Sequence, residues 1–240
     1  MNQILITEKI YVTPELKKKK RIYQLAFIIS IFFISMLSSY YILSEYDRNV
    51  SEEISQEILS EIDNTTVQKD DNILTVILSQ DDQTQVSVDQ QAAQNESATP
   101  KNNQYTAKDG NTYSVDATIN IPSLGINYPV LSETSEALLK ISLNKFWGPA
   151  PNEVGNYCIV GHNYTNKKMF GKLADIESGA IVELSDSSGQ TLKYAVYNKY
   201  IVEPEDVACT SQLTSGKKEV TLITCTNHGK QRLVVKAREV

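Results

Sequence analysis

The C-terminal half of this 240-residue chain predicts an all-β domain, a barrel or a sandwich. From residue 114 onward, short β-branched runs alternate with turn residues: VDATINIPSLG, NYPVL, NYCIVGH, AIVEL, QTLKYAVYNKYIV, EVTLITC and RLVVKAREV. Runs rich in Val, Ile, Thr and Tyr, broken by Gly, Pro, Asn and Ser, are strand signals. All ten Gly lie at or after Gly110, six of the seven Pro at or after Pro100, and the single Trp is Trp147, so turn formers and large core side chains gather in one region. Helical patterning there is brief. SEALLKI, KKMFGKL and PEDVA each suit one or two turns as connections, the last with Pro204 at a first helical position. One folded domain over 112–240 follows, long enough to bury a core of its own.

The residues ahead of it divide into three parts. Residues 1–21 end in the basic cluster KKKKR (17–21), and residues 22–43 form a run of 22 residues without a charge. At about 1.5 Å per residue that run spans a bilayer core of about 30 Å, so it is expected to be a transmembrane signal anchor. The apolar stretch is longer than a cleavable signal peptide requires and does not end at a clear small-residue cleavage site, which favours retention. Basic residues precede it, while Glu45, Asp47, Glu52 and Glu53 follow, so the positive-inside rule puts the N-terminus in the cytoplasm and the rest outside. Tyr40 and Tyr41 suit the outer interface.

Residues 44–111 are expected to be an acidic extracytoplasmic stalk. Up to Pro100 they carry thirteen Asp or Glu against Arg48 and Lys69, with no Gly and much Gln, Ser and Asn, a composition that does not build a core. Two less polar islands interrupt it. EEISQEILSEI places Ile54, Ile58 and Ile62 on one helical face, read as a juxtamembrane helix, and ILTVIL is a short apolar run.

A net charge of −6 and a pI near 5.1 argue against a broad nucleic-acid footprint, and no nucleic-acid motif is found. The sequence shows no paired CxxC, no HExxH and no Gly-rich phosphate loop, so no cofactor or metal is expected.

Three residues with catalytic potential fall at ends of predicted strands: His162 after NYCIVG, Cys225 at the end of VTLIT, and Arg232 at the head of RLVV. Groups at strand ends are held rigidly yet open to solvent. A thiolate is a strong acyl acceptor, and a neighbouring His can take the thiol proton and return it to a leaving amine. With ordinary pKa values, only about 3% of a thiol is ionised and about a quarter of a His is protonated at pH 7, so activity depends on how the site couples the two. An Arg stabilises a tetrahedral oxyanion without giving up a proton. Taken alone, an arbitrary Cys ending an apolar strand is an inert core thiol, and Arg232 is a surface strand-end cation. The acid/base role lies between the chain's two His, His162 and His228, the second only three residues beyond Cys225 in the turn TNHGK.

These pieces together resemble the sortase family. TLITC (221–225) followed by RLVV looks like the sortase signature TLxTC...R, and GNYCIVGHNY (155–164) looks like the family's strand ending in the catalytic His. The order His, Cys, Arg agrees, and IPSLGINYPVL, MFGKLADIESGAIVEL and YNKYIVEPEDV are similar to further family segments. The resemblance implies an eight-stranded barrel and a cysteine transpeptidase. Its expected substrate is a surface protein with a C-terminal LPxTG-like sorting signal, cleaved through a thioacyl enzyme and passed to an amine of a peptidoglycan precursor or another wall acceptor. It assigns Cys225 as nucleophile, His162 over His228 as acid/base, and Arg232 as oxyanion partner. It places a substrate-recognition loop at 203–218.

Thr224, Asn163 and His228 are the candidate substrate-binding residues, weighed against ordinary turn and strand chemistry. Cys158 and Cys209 are expected to be structural; a disulfide between them is permitted outside the cytoplasm but has no positive support. No Asp-Pro step of a pilin-type lid occurs, and the chain stops at Val240, which makes wall anchoring the expectation ahead of pilus assembly. Two other readings are an endopeptidase using water as acceptor and a catalytically silent, membrane-anchored wall-binding β module.

Overall fold

The computed structural model describes residues 14–75 and 103–240, with side chains placed as far as residue 63 in the first stretch. The chain divides into two units, one ending at Asn49 and the other running from Val50 to Val240. Residues 1–13 of the expected cytoplasmic tail and 76–102 of the expected stalk lie outside the described residues.

The first unit is helical. Its residues from Pro14 belong to helix α1 (Pro14–Thr75), and its apolar side chains face outward: Phe27, Phe32 and Leu37 are each about two-thirds exposed. Among the described residues, α1 is the helix long and apolar enough to cross a membrane.

The second unit is a closed barrel. Its strands are β2 (Thr112–Ile121), β3 (Ile126–Leu131), β4 (Leu143–Trp147), β5 (Gly155–Gly161), β6 (Ile181–Asp186), β7 (Thr191–Val202), β8 (Lys218–Thr226) and β9 (Gln231–Glu239). They run in the order β2-β3-β4-β5-β8-β9-β7-β6, and β6 pairs back onto β2, which closes eight strands into the expected barrel. A short strand β1 (Gln104–Thr106) adds to the free start of β2. Closure removes the exposed edges that an open sheet of this size would present. The interior is filled by alternate residues, among them Ile119, Ile121, Val130, Leu143, Tyr157, Ile159, Val182, Leu184, Val220, Leu222 and Val235.

Seven of the eight barrel strands coincide with the apolar runs read from sequence. The eighth, β4, reads LNKFW and carries no β-branched residue. It is held from both sides, by a two-pair parallel contact with β3 and an antiparallel one with β5. Buried Asn144 on this strand donates from Nδ2 to the Glu133 carbonyl at 2.6 Å.

Of the three expected helical connections, one forms as a helix. Helix α2 (Glu136–Ile141) is capped by the Ser135 side chain, which accepts from the Leu138 amide at 3.1 Å. KKMFGKL does not make a helix, because Lys167 and Met169 take left-handed φ values of 69° and 50°; a single 3₁₀ turn follows at Leu173–Asp175. In the PEDVA region the 3₁₀ turn starts later, at Ala208–Thr210, and Pro204 sits in a tight turn closed by the Asp206 amide on the Glu203 carbonyl.

The larger departure concerns the stalk. The part of α1 from Val50 onward belongs to the barrel unit, and Ile54, Ile58 and Leu59 are buried. Ile54 and Ile58 pack with Tyr113, Val115 and Leu131, with Ile62 and Leu138 at the margin. Ser55, also buried, donates to the Ser142 hydroxyl at 3.1 Å, which donates on to the Pro129 carbonyl. The four-residue spacing of these isoleucines therefore marks a face that docks on the barrel, and the globular unit reaches back to Val50 rather than beginning at 112. The acidic residues of this helix turn outward or meet polar partners, which is how a segment of stalk-like composition still contributes an apolar face.

Candidate active site

The site residues come from three adjacent strands. β5 and β8 run parallel, and the last pairs of their ladder are Val160 with Ile223 and Gly161 with Thr224. His162 and Cys225 are thus each one residue beyond a paired position, side by side at the same end of the barrel. β8 and β9 run antiparallel, and there Cys225 lies directly opposite Arg232.

Alternation decides which face each side chain takes. Val220 and Leu222 point into the barrel core, so Ile223 and Cys225 point outward; Ile223 joins Val234 and Cys209 in a small outer cluster with Val160 and Val202. Arg232 shares the face of Val234. Val160 shares it on β5, and His162 follows two residues later. Cys225 and Arg232 therefore share one outward face, His162 leaves β5 at the same end of the barrel, and Arg232 borders the loop between β7 and β8.

Hydrogen bonds fix the junction. The Thr224 hydroxyl donates to the Gly161 carbonyl at 2.7 Å, and the Asn163 side chain donates to the Cys225 carbonyl at 2.9 Å. The first joins the two strands; the second ties the segment carrying His162 to the cysteine itself. Thr224 is 2% exposed with its hydroxyl engaged in joining the two strands, which agrees with the strand chemistry weighed for it in the sequence. Gly161 is required here, since a Cβ would lie 2.2 Å from Leu143 Cδ2 and 3.0 Å from Phe170 Cδ2.

His162 is half-buried, and burial pushes its imidazole below the usual range, with the nearby Lys140 charge adding to the effect. Its ring lies 5.0 Å from that of Tyr164 at a tilt of 37°. A neutral imidazole at pH 7 suits proton transfer. The Arg232 guanidinium donates from Nη1 to the carbonyls of Gly229 and Gln231, at 2.8 and 3.1 Å, which holds its base against the turn after β8. His228 is exposed in that turn at a left-handed φ of 56°, between Asn227 and Gly229, which are also left-handed. The turn carries it past the strand end.

Cys158 and Cys209 are free thiols and buried. Burial, then the proximity of Cys209, pushes the Cys158 thiol up to about 12, and burial likewise raises Cys209. Both stay protonated and act as packing groups. Cys225 is the partly exposed thiol of the three.

Beside the site lies a cavity of about 130 Å³ that Arg232 borders and that His162 and Cys225 do not line; its walls are Phe146, Val160, Val202 and Ile223, with Pro204, Asp206, Val207, Cys209 and Thr210 from the loop. A larger one of about 280 Å³, between β2 and the β6–β7 turn, contains neither His nor Cys among its lining residues. The loop over the site is anchored by a residue that sequence reasoning did not single out. Asn156, wholly buried in β5, donates to the carbonyls of Cys209 and Ser211 and accepts from the Thr221 hydroxyl at 2.6 Å. Gln212 from the loop clamps the Asn156 backbone at both its amide and its carbonyl, each at 2.9 Å. The available signal was a polar residue inside the apolar run GNYCIVG.

A sequence model of the sortase domain matches residues 119–240, just over half of the chain. The curated relative Sortase A of Bacillus anthracis is 32% identical over 113 residues, covering 45% of this chain and 50% of the relative, so the match spans half the length of that protein. Among solved structures, the lid mutant of Sortase A from Corynebacterium diphtheriae aligns with a TM-score of 0.50 at 29% identity, over 55% of this chain and 74% of that one. Sortase A from the same organism aligns with a TM-score of 0.49 at 30% identity, over 53% and 61% of the respective chains. The family match and an eight-stranded barrel that brings His162, Cys225 and Arg232 to one end lead to one assignment: this chain belongs to the sortase family.

Proposed function

We propose that the chain is a membrane-anchored cysteine transpeptidase that cleaves an LPxTG-like sorting signal and transfers the surface protein bearing it to an amine acceptor of the cell wall. The placement of Cys225 opposite Arg232, with the His162 segment tied to the Cys225 carbonyl, is the observation that carries this reading.

In the first half-reaction the Cys225 sulfur, its proton passed to the His162 imidazole, attacks the scissile carbonyl. The Arg232 guanidinium stabilises the oxyanion of the tetrahedral intermediate. Collapse breaks the C–N bond, the imidazolium protonates the departing amine, and a thioester remains. In the second, the acceptor amine gives a proton to His162 and attacks the thioester, forming an amide and releasing the thiol. The apolar cavity beneath residues 203–218 supports recognition of an extended peptide there. The charge-free run at 22–43 supports a single-pass anchor, and the basic cluster before it supports a cytoplasmic N-terminus with the barrel outside.

The test is to incubate the full chain in detergent micelles with a sorting-signal peptide and an amine. An amide-linked product that disappears in Cys225→Ala is expected. Cleavage to free acid alone across a series of amines would replace transpeptidation with hydrolysis, and unchanged cleavage by Cys225→Ala would remove the nucleophile assignment.

A further inference from the structure

Between His162 and Gly171 the chain reverses direction without a regular ladder. Lys167 and Met169 are left-handed, and Gly171 is so enclosed that a Cβ would meet the Tyr164 carbonyl at 2.4 Å. What holds this reversal is a small set of bonds. Asn163 and Met169 form an isolated bridge, and the Phe170 amide donates to the His162 carbonyl at 3.0 Å. The side chains of Met169 and Phe170 are buried in the barrel core. Local turn bonds add to these, Lys167 to the Tyr164 carbonyl and Gly171 to the Lys168 carbonyl, and one backbone amide reaches outside the loop: that of Met169 donates to the Tyr128 hydroxyl of β3 at 3.1 Å.

That hydroxyl has a second partner. It donates to the Glu52 carboxylate of α1, 2.8 and 2.9 Å from its two oxygens. Glu52 also accepts from Gln56 Nε2 at 3.2 Å. A phenol that donates to a carboxylate is polarised into a better acceptor for the amide behind it, and a charge-assisted bond is shorter and stronger than a neutral one. Buried Tyr128 keeps its proton, since burial raises its pKa.

We infer that Tyr128, oriented by Glu52 of the docked helix, is a positioning residue for catalysis, holding the loop that sets His162 against Cys225. The inference rests on the proposed reaction for its kinetic consequence but not for its structural one. The line of contacts runs from Glu52 to Tyr128, to Met169, across the bridge to Asn163, and from the Asn163 side chain to the Cys225 carbonyl. Removing the phenol oxygen leaves the Met169 amide and the Glu52 carboxylate without their shared partner, while the ring still fills its place in the core.

The experiment uses the full chain in detergent micelles, as wild type, Tyr128→Phe, Glu52→Ala, Glu52→Gln and the double variant Tyr128→Phe/Glu52→Ala. Misplacing a proton-transfer group by a fraction of an ångström costs roughly tenfold or more, so Tyr128→Phe and Glu52→Ala should each lower kcat roughly tenfold with KM unchanged. The double variant should be no worse than Tyr128→Phe, since both act through one bond. Glu52→Gln, whose amide oxygen still accepts from the phenol, should stay within about twofold of wild type. Hydrogen exchange at the Met169 amide should quicken in Tyr128→Phe and Glu52→Ala and not in Glu52→Gln. Unchanged kcat in a folded Tyr128→Phe, losses that multiply in the double variant, or Glu52→Gln as impaired as Glu52→Ala would each overturn the inference. A wild type that forms no amide product defeats the proposed function instead, and the Met169 exchange pattern then decides the positioning link alone.

Discussion

Replacing Ile58 by Ala measures how far the docked helix belongs to the cooperative fold. Ile58 is fully buried, against Ile54, Tyr113, Val115 and Leu131. Truncation removes three carbons from a packed site that can collapse only in part, since its floor is barrel strand and its other wall is the helix itself. Such a change costs about 2–5 kcal/mol. For a unit of this size each kcal/mol lowers the melting temperature by roughly 2–4 °C, so a shift of roughly 4–20 °C is expected. The neighbouring Glu53→Ala, on the exposed side of the same turn, should stay within about 0.5 kcal/mol of wild type. Thermal unfolding of the full chain in detergent, followed by the β-sheet circular dichroism signal, gives both numbers. If Ile58→Ala and wild type melt together, the helix from Val50 is an appendage that the barrel does not need, and the stalk reading of the sequence returns.

Three further outcomes follow from the site. Iodoacetamide at pH 8 should label Cys225 in the native chain and reach Cys158 only after unfolding, because burial keeps Cys158 both inaccessible and protonated; native labelling at Cys158 would contradict its place in the structure. His162 binds its proton less readily folded than unfolded, so stability should fall as pH drops below about 6.5, until the folded imidazole is itself protonated. Melting temperatures between pH 5 and 7 should show that slope flattened in His162→Gln, and an unchanged slope would assign it to other groups. Gly161→Ala forces a methyl against Leu143 and Phe170, which should cost about 1–3 kcal/mol and lower turnover as well, since the Phe170 amide holds the His162 carbonyl; a variant as stable and active as wild type would refute the close approach.

The barrel was legible where strands carry their own signal. β5, β8 and β9 read directly because their residues are β-branched and continuous, and these are the strands that bear His162, Cys225 and Arg232. β4 was not legible, since LNKFW takes its strand form from its two neighbours and not from propensity. The docking of Ile54 and Ile58 was half visible: the spacing showed a face, but its partners begin about fifty residues later, and composition argued for solvent. Left-handed backbone at Lys167 and Met169 was hidden because neither is Gly or Asn; at Met169 it is held by bonds to Tyr128 and Asn163. Composition alone left Thr224 between ligand contact and strand chemistry, because only the alternation set by the closed barrel turns it inward.

The parallel pairing of β5 with β8 also bears on when the site comes into being. Gly161 and Thr224 are ladder partners separated by about sixty residues, and β9 must then slot between β8 and β7 to complete the ring. Contacts of such long sequence separation form late and slowly. A chain emerging N-terminus first presents its histidine strand well before its cysteine strand, and the guanidinium arrives only with β9. The thiol therefore stays without its partners until the last strand is in place, so a partly made chain carries no assembled acyl-transfer site.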